Sequence, residues 1–317
     1  MSKLNAITVA SSALGDLKCQ LALFDGLHVL ELDDYLQAPL QLPDYDDLVN
    51  AYLELKDHGI VQNVHAFGVA VEEKVLIDPN EETDIADLFP ARNDDWYKFV
   101  DLIQNAETAL LRRSTLTWVD ERYDDIRTRD PGRDLRQAQA CQLRAHAHKS
   151  KVLGRGELVV LPPYGDHRCL PYSTGSDNVA LVTIHAVPSL PDNISISDIL
   201  AFKAEPESKR FWLRLRNWQR RITQEGTTIQ EAEDMLESSL SEYRAFMTSV
   251  EKRLRLMELQ TLTAISLGLF EKTLRGKPSE AVSQFFKLKT DKLALLASES
   301  NAPGKELAYM YKLGQLR

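Results

Sequence analysis

Cysteine is scarce in this chain: Cys19, Cys141 and Cys169 are the only three in 317 residues. An odd number at such wide spacing does not build a disulfide framework, so a reducing cytoplasm is the expected setting. Metal-ligand spacing is missing too. There is no Cys-x-x-Cys or His-x-x-x-His pair, and His146 and His148, two apart on a predicted helix, point in different directions. No phosphate loop is present, because Gly276-Lys277-Pro278-Ser279 lacks the first glycine and a preceding strand. Gly-x-Gly-x-x-Gly is absent as well. These gaps disfavour zinc chemistry, nucleotide hydrolysis and dinucleotide redox chemistry, and no cofactor or metal is expected. The run Ala264–Phe270 is too short to span a bilayer, and Met1–Asp16 has no basic region followed by an apolar run. A soluble cytoplasmic protein without a membrane partner is therefore expected.

What is present is an ordinary globular composition, 44% hydrophobic and 27% charged, long enough for two domains with sizeable cores. The net charge of −9 argues against a chain devoted to coating nucleic acid.

The first 190 residues read as mixed α/β. Cys19–Phe24 and Leu27–Leu32 are apolar, strand-like runs about the turn dipeptide Asp25-Gly26. A helix is predicted over Tyr45–His58, with Leu48, Tyr52 and Leu55 on one face and Gly59 as its stop. Ile60–Val64, Ala66–Val71 and Lys74–Asp78 read as extended. Helical periodicity returns from Asp94 and again over Asp134–Lys149, after the breaker Asp130-Pro131-Gly132. Glu157–Leu161 and Asn178–Val187 read as strands about a polar loop.

Beyond the linker at 188–193 every pattern is helical. Ser197 is a candidate N-cap, and Pro206 can open the next helix, whose apolar face is Phe211, Leu215, Trp218 and Ile222. After Glu225-Gly226 a stripe steps by three and four residues through Ile229, Ala232, Leu236, Leu240, Tyr243, Met247, Val250, Leu254 and Met257. An unbroken helix from there to Leu274 would measure roughly 70 Å. Segment 206–222 is basic and segment 225–242 acidic, which predicts an antiparallel hairpin. The expected fold class is thus α+β: a mixed α/β domain over 1–190, then an elongated all-helical, hairpin or coiled-coil-like domain over 191–317.

Candidate chemistry is thin. Glu72, Lys74 and Asp78 have the residue types of a metal-dependent nuclease on a hairpin, and equally those of an exposed hairpin end. Cys169 with His167 lacks any third group to orient a base. Arg210, Trp212, Arg214, Arg220 and Arg221 form the one candidate nucleic-acid surface, although Trp218 lies on the apolar stripe. The distal stripe, Val250, Leu254, Met257, Leu262, Ile265 and Leu269, is the candidate interaction surface.

The blocks Asp198–Lys203, Pro206-Glu207-Ser208, Leu213–Trp218, Lys277–Leu296 and Ala302–Tyr309 resemble a pattern that recurs in a group of bacterial proteins with no established activity. That resemblance covers the last third of the chain. It implies a bacterial cytoplasmic origin and a shared helical architecture, and carries over no catalytic residue. The expected function is an interaction or scaffold protein whose arm docks another protein or a second copy of itself. A nuclease-like effector, or a nucleic-acid-binding component of an antiphage or mobile-element system, is the alternative.

Overall fold

The computed structural model describes residues 3–11, 13–37, 45–70, 75–78, 97, 99–105, 107, 131–163, 175–188, 190, 193–272 and 302–316, with side chains 70, 131–134, 251 and 253–272 outside that set. Four short strands form one parallel sheet: β1 (Asn5–Val9), β2 (Gly26–Leu30), β3 (Val61–Val64) and β6 (Leu158–Val160). Their spatial order is β3-β2-β1-β6. A smaller antiparallel pair, β4 (Gly68–Ala70) and β5 (Val75–Ile77), lies apart from it.

Strand order reverses at β1, and the covering helices change face with it. Helices α1 (Leu14–Leu23) and α3 (Tyr45–Asp57) carry the chain from β1 through β2 to β3. They cover the face that bears Ala6, Leu27, Val29, Val61 and Val159. The return from β3 to β6 runs through α4 (Pro131–Val152), whose Leu143 and Ala147 pack on Ile7, Val9, Leu30 and Val160. Such a switch follows from the right-handedness of parallel crossovers. Between β2 and α3 lies the short α2 (Leu32–Gln37).

Three elements differ from the sequence expectation, each for a physical reason. Cys19–Phe24 is not a strand: all of it but Phe24 belongs to α1, whose Leu17, Leu21 and Ala22 share a buried face. Asp25-Gly26 then joins a helix to a parallel strand instead of closing a hairpin. Asn178–Val187 is largely the helix α5 (Gly175–His185), apolar on several sides because it packs on α1, β6 and two later helices. Apolar periodicity cannot separate a short buried helix from a buried strand. Finally, Pro131 opens α4 rather than ending a loop, as a first-turn proline can. The Tyr45–His58 helix and the strands near 61–64, 68–70, 75–77 and 158–160 stand as expected, with Gly59 at φ +67° beyond α3.

After residue 190 come α6 (Ile196–Ala204), α7 (Pro206–Gln224), α8 (Ile229–Lys272), a 3-10 turn (Lys305–Leu307) and α9 (Ala308–Leu313). The cap of α6 is Ser195 rather than Ser197, and it forms a capping box with Asp198. Helices α7 and α8 follow one another through a tight turn. The apolar faces of both are covered by α5 and by the C-terminal 3-10 turn and α9. Oppositely charged flanks are therefore not what covers these helices; Leu307, Tyr309, Met310 and Leu313 supply buried apolar surface there.

Residues from both sides of position 190 share one apolar cluster. The closure of α1 shows how closely they are joined. A helix leaves its last carbonyls without intrahelical partners, and α1 has no basic residue in its last turn. Lys203 Nζ donates to the carbonyls of Leu21 and Phe24, Tyr309 Oη to that of Ala22 at 2.6 Å, and Trp212 Nε1 to that of Leu23 at 3.3 Å.

Candidate functional site

At the C-terminal ends of β1 and β6, where strand order reverses, the sheet opens into a cleft of about 360 Å³. Open parallel sheets bind ligands at such a switch point. The floor comes from Thr8, Val9, Ala10 and Ser11 after β1, with Leu161 and Pro162 after β6. One wall is the first half of α1, with Asp16, Cys19 and Gln20; the other is α5, with Leu181, Ile184 and His185.

The loop after β1 is held from behind by two tyrosines. The Ser11 amide donates to Tyr52 Oη at 2.8 Å, and Tyr35 Oη donates to the Ser11 carbonyl at 3.2 Å. The two rings meet edge to face, 6.0 Å apart, and Tyr45 Oη donates to the Tyr35 carbonyl at 2.6 Å. Burial pushes the Tyr52 phenol above its ordinary pKa, so this clamp stays uncharged. The α5 wall is anchored by buried Asp177, which accepts from the Val160 amide at 2.9 Å and pairs with Arg144 at 2.7 Å. Both walls are thus fixed before any ligand arrives.

The polar side chains that line the cleft are Thr8, Ser11, Asp16, Cys19, Gln20 and His185. Ser11, only 6% exposed, and Gln20 both line it, and the buried atoms Ser11 Oγ and Gln20 Oε1 have no hydrogen-bond partner. Cys19 sits between Asp16 and Gln20. Burial, with the Asp16 carboxylate adding to it, pushes its thiol pKa up, so it stays protonated and is a poor nucleophile. Asp16 and His185 are exposed at the mouth. The arrangement is suited to holding a molecule, and Cys19, the thiol among its described lining residues, is not activated.

The described residues singled out from sequence lie elsewhere. Asp78 is buried on the opposite side of the sheet in an ion pair with Lys149. Lys149 also lies over the Phe67 ring, on which His146 stacks at 4.0 Å. His146 Nε2 donates to the His65 carbonyl at 2.6 Å, and Gln142 bonds both the amide and the carbonyl of Phe67, at 2.8 and 3.1 Å. Burial lowers the His146 pKa to about 4. This group clamps segment 65–67 onto α4. Glu72 and Lys74 lie outside the described residues, as does the 164–169 loop with His167 and Cys169. Among the described residues no cluster of His, Cys, Asp and Glu is arranged to hold a metal ion.

In the basic helix, Trp212 is half-buried beneath the Arg216 guanidinium at 4.8 Å, with its indole N–H spent on α1. Arg214 lies over Phe211 at 5.7 Å, while Arg210, Arg220 and Arg221 are exposed. Val250 is buried within this chain; the side chains of Leu254, Met257, Leu262, Ile265 and Leu269 lie outside the described residues. No described helix is long and apolar enough to cross a membrane.

No known protein family, curated protein or solved structure matches the chain.

Sequence reasoning missed this cleft because it missed β1 and α1. The signal was present: Ala6-Ile7-Thr8-Val9 is a β-branched run bounded by two serines, and Leu14, Leu17 and Leu21 then recur at helical spacing.

Proposed function

We propose that the chain is a small-molecule-binding protein whose helical region attaches it to a protein partner or to a second copy of itself. The observation that carries the first half is Ser11: a buried hydroxyl without a hydrogen-bond partner, on a backbone held by two tyrosines, in a cleft at the strand-order reversal. Ligand binding fits a cleft in which the described thiol, Cys19, is kept protonated.

A thermal-shift screen with a panel of charged and uncharged metabolites tests it, using wild type and Ser11→Val. Removing an unpaired buried hydroxyl costs the free protein little. The variant should therefore keep its own melting temperature and lose at least half of any ligand-induced rise. Full retention of that rise in Ser11→Val would place the ligand elsewhere.

Support for the second half is the 44-residue length of α8, about 65 Å of helix. Light scattering after gel filtration should give a multiple of 35.9 kDa at micromolar concentration. A strict monomer would remove self-association from the proposal.

A further inference from the structure

Given that the cleft is a binding site, as proposed above, we infer that it takes a compact, uncharged molecule rich in N–H and O–H donors, of nucleoside size, and turns anions away.

The open positions inside the cleft are acceptors. Gln20 Oε1 is a buried carbonyl oxygen without a donor, Ser11 Oγ has two lone pairs and one proton unused, and Asp16 holds a carboxylate at the mouth. Both unpaired atoms are covered in the free protein, so each side chain must turn to meet a ligand. Gln20 Oε1 leaves no hydrogen bond behind when it does so. The Ser11 backbone is fixed, which leaves only rotation about its side-chain bond. A ligand donor that reaches these atoms relieves an unpaired-group penalty already present in the free protein.

Charge narrows the class. The start of α1 faces the cleft, and a helix N-terminus ordinarily favours an anion. Here Asp16, in the first turn of α1, already supplies that negative charge. Among the described residues no lysine or arginine lines the cleft. A phosphate or carboxylate entering it would meet Asp16 with no lysine or arginine beside it among the described residues, and with His185 as the basic side chain at the mouth. Cys19, kept protonated, adds no charge of either sign.

Size and shape complete the description. At about 360 Å³ the cleft lies at the lower end of the range for ligand pockets, roughly 300–1,000 Å³. Leu161, Pro162 and Leu181 offer apolar surface to the face of a flat ring, while the acceptors suit amino and hydroxyl groups at its edge.

The test is titration calorimetry of the full chain with adenosine, guanosine, cytidine and uridine, each compared with its 5′-monophosphate. At least one nucleoside should bind with a micromolar Kd, and its monophosphate at least tenfold more weakly. Gln20→Met, which keeps the volume and removes the acceptor, should weaken nucleoside binding at least tenfold. Asp16→Asn, at an exposed position, should narrow the gap between nucleoside and monophosphate. A monophosphate that binds as tightly as its nucleoside, or unchanged nucleoside affinity in Gln20→Met, overturns the inference. If no nucleoside binds while another metabolite stabilises wild type through Ser11, the ligand class is wrong and the binding cleft stands. If nothing binds in either experiment, both fall.

Discussion

His146 is the residue whose surroundings speak most directly to solution behaviour. Its ordinary pKa is 6.5, and burial holds it near 4 in the folded chain. Between those values the unfolded chain takes up a proton that the folded chain refuses. Stability from this residue is complete above pH 6.5 and falls as pH drops toward 4, by about 3 kcal/mol in all. Urea denaturation at pH 7.5, 6 and 5 should show that decline, and His146→Gln should flatten much of it. Gly304 makes a second residue-level case. Its φ is +66°, and a Cβ there would sit 2.0 Å from the Ser239 carbonyl oxygen. Gly304→Ala should cost at least about 2 kcal/mol in a denaturation series. The need for glycine at 304 was not legible in sequence, because its close approach is to Ser239 of α8, 65 positions earlier. Likewise Asp78 looked like a catalytic acid beside Glu72 and Lys74, and only three-dimensional packing reveals its partner, Lys149, 71 residues away.

At the scale of elements, α1 is the instructive case. Its sequence is an apolar run with a cysteine, easily taken for a strand, and propensity alone does not settle it. What settles it is closure at both ends. The Ser11 loop is held by Tyr35 and Tyr52 before the helix starts, and its last carbonyls are taken by Lys203, Trp212 and Tyr309. Tyr309→Phe removes one donor and leaves the Ala22 carbonyl buried and unpaired, so a loss of about 1–3 kcal/mol is expected on chemical denaturation. Lys203→Met should cost at least as much, since two carbonyls lose a charged donor. Helices with one clean apolar face, such as α3 and α7, were legible from their spacing. Those buried on several sides, α1 and α5, were not, and these two form the walls of the cleft.

At the scale of the molecule, the parallel sheet and the later helices share one apolar cluster, which makes an experimental division of the chain informative. A fragment covering 1–190 lacks the three side chains that donate to the last carbonyls of α1, along with Phe202, Phe211 and Leu313 from the shared cluster. Expressed alone, it should show no cooperative thermal transition by circular dichroism. Adding purified 191–317 should restore some helical signal if the halves recognise each other. A fragment 1–190 that melts cooperatively at the temperature of the full chain would mean that this interface contributes little to stability.

The bond from Tyr309 to Ala22 spans 287 residues, and that distance has a meaning in time. During synthesis the first helix emerges from the ribosome long before the side chains that complete it. Lys203 and Trp212 follow about 180 residues later, and until Tyr309 is made the Ala22 carbonyl stays open and the apolar face only partly covered. A chaperone that holds this segment during translation would be expected to matter more for this protein than for one with local contacts. A stop codon placed shortly before position 309 would leave the cleft's own helix without the partner of its Ala22 carbonyl.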